Sequence, residues 1–117
     1  MVKERRKRTR IPAHFDVSIT FRRSKIKVRT LNISLTGISC TGDPRFQLNE
    51  LCDIIMTLNS DVRLVIAGKF LRIDENETIN AFLAMDEDTF YHLKKLIQYN
   101  AANPDKIEKE LADPAFA

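Results

Sequence analysis

The sequence predicts an all-β fold, a six-stranded antiparallel β-barrel followed by a C-terminal α-helix. Three observations carry this prediction. Six short segments rich in β-branched and aromatic residues are separated by turn-forming residues. A glycine, Gly68, stands inside the longest of them, as at the sharp bend of a barrel corner. After the last strand, Phe90, Leu93, Leu96 and Ile97 form a helical stripe that needs an apolar surface to cover. At 117 residues the chain supports one hydrophobic core and not two.

The first strand is the clearest. In His14–Phe21, Phe15, Val17, Ile19 and Phe21 alternate with polar residues, so one face is apolar. The polar run Arg22–Lys25 suits a hairpin into a second strand, Ile26–Ile33. There the apolar phase shifts between Val28 and Leu31, which implies a bulge. A short third strand, Gly37–Thr41, puts Ile38 and Cys40 on one face. Gly42-Asp-Pro-Arg45 is a turn, and Phe46–Glu50 a loop with room for one helical turn. Leu51–Leu58, Val62–Ile73 and Thr78–Met85 complete the set, separated by Asn59–Asp61 and Asp74–Glu77. Asp86 then caps a helix whose first turn carries Glu87 and Asp88, where the helix dipole favours acids. Residues 1–12 are expected to be a flexible basic arm and 13–100 the barrel with its helix. Residues 101–117 form a tail with a short second helix over Asn103–Leu111.

Catalysis has little support. His14 and His92 have no sequence partner that would make either a base. The Asp86–Asp88 cluster is better explained as a helix start than as a metal site. Cys40 and Cys52 lack CxxC spacing and a zinc-completing histidine, so both read as inert core thiols. No glycine-rich phosphate loop is present, and the expectation is a protein without catalytic residues, metal or cofactor. No apolar run approaches membrane-spanning length, and the basic start lacks the apolar region of a secretory signal. A cytoplasmic protein that does not insert into membranes is therefore expected.

Two stretches stand out. Residues 1–29 hold eleven Lys/Arg against two acids, a net of +9, whereas residues 30–117 hold eight against fourteen, a net of −6. Such asymmetry argues for a localised anion site rather than a uniformly basic surface. Lys3-Glu-Arg-Arg-Lys-Arg-Thr-Arg10 has four Arg to two Lys, and Arg presents a planar fork suited to phosphate and base faces. By itself this run is a solvated arm with diffuse affinity for polyanions. The second stretch, Thr30–Ser39, places Asn32, Ser34 and Gly37 between two strands. On its own it is a structural turn.

Taken together, Arg6-Lys-Arg-Thr-Arg10 reads RxxxR and Asn32-Ile-Ser-Leu-Thr-Gly37 reads [D/N]xSxxG. In this order, on six strands and a helix, the pair resembles the PilZ domain family over roughly Glu4–Ile97. One departure is Ala81–Met85, where many relatives carry a Gly and end in Phe. The resemblance implies a PilZ-like barrel that binds the bacterial second messenger cyclic di-GMP. It implies that Arg6 and Arg10 contact phosphates and guanines, with Arg5, and also Arg8, assisting. Asn32 and Ser34 would hydrogen-bond a guanine edge, and Gly37 would let the backbone turn beside it.

No output domain is attached, so the signal is expected to pass in trans to an unknown protein effector. The helix stripe and the Ile107/Leu111 pair could serve a homodimer or only cap the barrel. The alternative is a small-barrel module that binds a partner protein or single-stranded nucleic acid through the arm. Nucleic acid is disfavoured, because the Phe residues follow the core pattern and there is no Trp to form a stacking platform.

Overall fold

The computed structural model describes residues 11–12, 16–58 and 62–100. Its elements are β1 (Ile11–Pro12), β2 (Asp16–Phe21), β3 (Ser24–Ile33), β4 (Gly37–Cys40), β5 (Leu51–Thr57), β6 (Arg63–Ile73), β7 (Thr78–Ala84) and α1 (Glu87–Asn100). Every pairing is antiparallel. The sheet runs β1-β3-β2-β5-β6-β7-β4, and β4 pairs again with β3 to close it. The barrel therefore has six strands, β2 to β7. The two-residue β1, which sequence assigned to the end of the arm, lies beyond β2 along the same edge of β3.

Alternation decides which side chains enter the barrel. Val17, Ile19 and Phe21 of β2 point inward, as do Ile54 and Met56 of β5 and Leu64, Ile66 and Phe70 of β6. Phe70 anchors an aromatic cluster, edge-on to Phe21 at 5.2 Å and tilted against Phe46 at 4.8 Å. Phe46 belongs to a loop of turns with no helical turn in it. The expected bulge in β3 is present as a register shift between Thr30 and Asn32, and β6 shifts register at Ala67/Gly68. At Gly68 a Cβ would stand 2.6 Å from Ile54 Cδ1 and 3.1 Å from the Ala81 carbonyl, so a side chain there would have to displace its neighbours.

The β2–β3 hairpin turns on two residues, Arg22 and Arg23, with φ of 50° and 70°. That is the left-handed pair of a type I′ turn, a place Asn-Gly usually fills. Arg22 is held there by Glu50 at 2.7 Å and by the face of Phe21, 5.0 Å from the ring centroid. Asp86 caps α1, its Oδ1 accepting from the Thr89 N–H at 2.7 Å. Leu93 and Ile97 of the predicted stripe are fully buried, and α1 packs on β6. No helix among the described residues is long and apolar enough to cross a membrane. The tail with its expected second helix lies outside the described residues, as do His14, Phe15 and the Asn59–Asp61 turn.

Candidate functional site

Asn32, Ser34 and Gly37 come together in the tight turn from β3 to β4. The turn is closed by the Ser34 N–H donating to the Gly37 carbonyl at 2.9 Å, and tied to β7 by the Phe82 N–H donating to Thr36 O at 2.8 Å. Between them Leu35 is fully buried. Burying a leucine contributes about 2 kcal/mol, enough to hold a short polar turn in one place. Leu35 was not singled out in the sequence, since one apolar residue inside a polar turn carries no periodic signal.

Ser34 is engaged within its own turn. Its side chain is only 3% exposed. Its Oγ accepts from the Thr36 N–H at 3.2 Å and donates to the Gly37 carbonyl at 3.4 Å, with the Thr36 hydroxyl also at 3.4 Å. The hydroxyl thus supports the turn that presents Asn32 and Thr36. Gly37 differs in its reason. No described glycine has a positive φ, so conformational freedom is not what this position demands. A Cβ here would stand 2.6 Å from the Asn80 carbonyl oxygen of β7, so the glycine permits close approach of two backbones.

Asn32 is half-buried on the outer face of β3. Its register partners are Ser39 of β4 on one side and Pro12 of β1 on the other. Ile11 pairs with Ile33, so the chain enters the described fold beside Asn32 and Ser34. Arg10 is one peptide bond before that point. Arg5, Arg6 and Arg10 themselves lie outside the described residues.

Two neighbours of the turn were not found from sequence. Ser39 is 1% exposed and donates to Glu77 Oε2 at 2.7 Å. In the sequence neither stands out, because a serine in a strand and a glutamate in a turn are ordinary. Two clefts of about 400 Å³ and about 380 Å³ lie elsewhere, and neither is lined by Asn32, Ser34 or Gly37.

The cysteines behave as expected of core thiols. Burial pushes Cys40 up to about 12, with Cys52 and Glu77 nearby adding to it. Burial likewise pushes Cys52 up to about 12, helped by Asp53, and its thiol donates to Asn80 Oδ1 at 3.3 Å. Neither can supply a thiolate near neutral pH. No group of three or more His, Cys, Asp or Glu among the described residues could hold a metal ion.

The barrel is similar to the PilZ domain of YcgR from Escherichia coli, a structure with c-di-GMP. The TM-score is 0.68 at 16% identity, over 96% of this chain and 100% of that chain. It is also similar to the Bacillus subtilis inhibitor of motility MotI/DgrA, with a TM-score of 0.68 and 21% identity over 95% of this chain. The chain spans about half of that protein's length (53%). A third likeness is to the K. pneumonia MrkH–c-di-GMP complex, with a TM-score of 0.65 at 16% identity, over 82% of this chain and 52% of that chain. Identities this low show the fold alone. A comparison with curated proteins finds no match. Residues 4–99 match the PilZ domain, a span from the basic run to the last turn of α1, and the chain therefore belongs to the PilZ domain family.

Proposed function

We propose that this chain is a cytoplasmic receptor for cyclic di-GMP that relays the signal in trans. Arg5, Arg6 and Arg10 would bind phosphates and guanines, and Asn32 would offer hydrogen bonds to a guanine edge. Ser34 would add a hydrogen bond to that edge while supporting the turn, and Gly37 shapes the turn. The observation that carries this reading is the pairing of Ile11–Pro12 with Ile33–Asn32, which brings the chain out of the arginine run beside the NxSxxG turn. Family membership and the c-di-GMP complexes of YcgR and MrkH support the choice of ligand. Two half-sites, one an arm of forked cations and the other a rigid hydrogen-bonding turn, together match a dinucleotide carrying two phosphates and two guanines.

Ordering the arm on the ligand costs conformational entropy, so arm position becomes a function of ligand concentration. A protein effector that reads the arm or the face it covers would receive the signal.

Titration calorimetry of the full chain with cyclic di-GMP tests the reading. Low-micromolar or tighter binding is expected, lost in Arg6→Ala and in Arg10→Ala with the far-UV spectrum unchanged. Salt-sensitive affinity for any polyanion, without preference for the guanine dinucleotide, would instead support an electrostatic nucleic-acid binder. No binding by the wild-type chain would end the proposal.

A further inference from the structure

The geometry points to a subsite for one nucleotide on the outer face of β7 and β6, with Lys69 as its phosphate contact. This inference rests on the receptor reading above and adds residues that neither motif contains. The register of the barrel builds the surface. Gly37 of β4 pairs with Ala81 of β7, Ala81 pairs with Lys69 of β6, and Lys69 pairs with Leu51 of β5. Directly paired residues in an antiparallel sheet share a face. Thr78 and Asn80 are buried in the barrel, so Ala81 and its row point outward. The next row of that face runs Asn32, Ser39, Ile79 and Arg72.

Two strand spacings separate Gly37 from Lys69, about 10 Å across the sheet. Between Gly37 and Lys69 the row carries only the methyl of Ala81, and the side-chain position of Gly37 is taken up by the Asn80 carbonyl of β7. Ile79 adds a half-buried apolar side chain beside them. The surface next to the turn is therefore a low floor of small and apolar side chains, half-buried at Ala81 and Ile79. It is bounded by Asn32 and Ser39 on one side and by cations of β6 on the other.

The two cations differ. Arg72 is held by Asp74 at 2.9 Å. Lys69 is half-buried and makes no ion pair with any described residue. A lysine stem lies readily along apolar surface with its ammonium at the edge, which here is the far edge of the Ala81 floor. A phosphate joined to a base on that floor would give Lys69 the anionic partner that it does not find among the described residues.

The test is calorimetric titration of the full chain with cyclic di-GMP at two salt concentrations. The variants are Lys69→Ala, Lys69→Arg and, as a control on β3 beside the Arg22–Arg23 turn, Lys25→Ala. Lys69→Ala is expected to bind about tenfold more weakly, the scale of one charge-assisted contact, with a shallower salt dependence. Lys69→Arg should restore most of the affinity, and Lys25→Ala should match wild type. Affinity of Lys69→Ala within twofold of a binding wild type overturns the subsite and leaves the receptor reading intact. An equal loss in Lys25→Ala also overturns it, by showing only long-range charge. Failure of the wild-type chain to bind overturns both.

Discussion

Gly37→Ala tests whether the turn is held by contact between backbones. The added Cβ would sit 2.6 Å from the Asn80 carbonyl oxygen, a separation that real Cβ atoms essentially never show. No rotamer change relieves it, because the opposing atom is main chain. β4 must therefore move away from β7 by several tenths of an ångström. Overpacking of this kind costs about 1–3 kcal/mol. The movement also strains the two bonds that bracket the position, Phe82 N–H to Thr36 O at 2.8 Å and Ser34 N–H to Gly37 O at 2.9 Å. Each contributes about 1 kcal/mol net, so the total loss should be about 2–4 kcal/mol. With a urea slope of about 1.5 kcal/mol/M, the unfolding midpoint falls by about 2 M. Gly42→Ala is the matched control. There the new Cβ would lie 3.5 Å from Thr78 Oγ1, an ordinary contact, and the change should be neutral or stabilise by up to about 1 kcal/mol. If the two variants unfold within about 0.5 kcal/mol of each other, steric demand at Gly37 is not what holds the turn.

Two further outcomes follow from strain and ionisation. Arg23→Gly should stabilise the protein by about 0.5–1 kcal/mol, because φ of 70° is costly for a residue with a Cβ and free for glycine. A lower urea midpoint would mean that the Arg23 side chain contributes more than its backbone costs. For the thiols, pKa values raised from 9.0 to about 12 mean that folding holds Cys40 and Cys52 protonated. Their contribution to stability is complete below pH 9 and declines as pH rises through about 12. Alkylation by iodoacetamide at pH 8 should therefore be at least about a hundredfold slower in native protein than in urea. Equal rates would place at least one thiol outside the core.

Much of the fold was legible because alternation reports burial directly. Val17, Ile19 and Phe21 are inward as their spacing demands, and Leu93 and Ile97 are the buried stripe of a helix that Asp86 caps. The phase shift seen between Val28 and Leu31 marks the bulge at Thr30/Asn32, since an apolar pattern can change phase in a strand only where the ladder does. The Asn32–Gly37 motif was visible as residue types, and its position between strands followed. Its mechanics were not. Sequence does not show that Ser34 also ties its own turn together, or that Gly37 is needed for close contact with β7 rather than for a left-handed turn.

By itself, the sequence determined the strands, the helix, the faces they bury, and the two stretches that mark the family. Those are local properties, written in periods of two and 3.6 residues and in short motifs. Tertiary structure decided who stands beside whom. That β4 closes the barrel between β3 and β7 brings Asn80 against Gly37, Ser39 against Asn32, and Ala81 and Lys69 into line with the turn. Register between strands distant in the chain is set by the collective fit of the core and the closure of the sheet. No single segment encodes it, and the full extent of the candidate site depends on it.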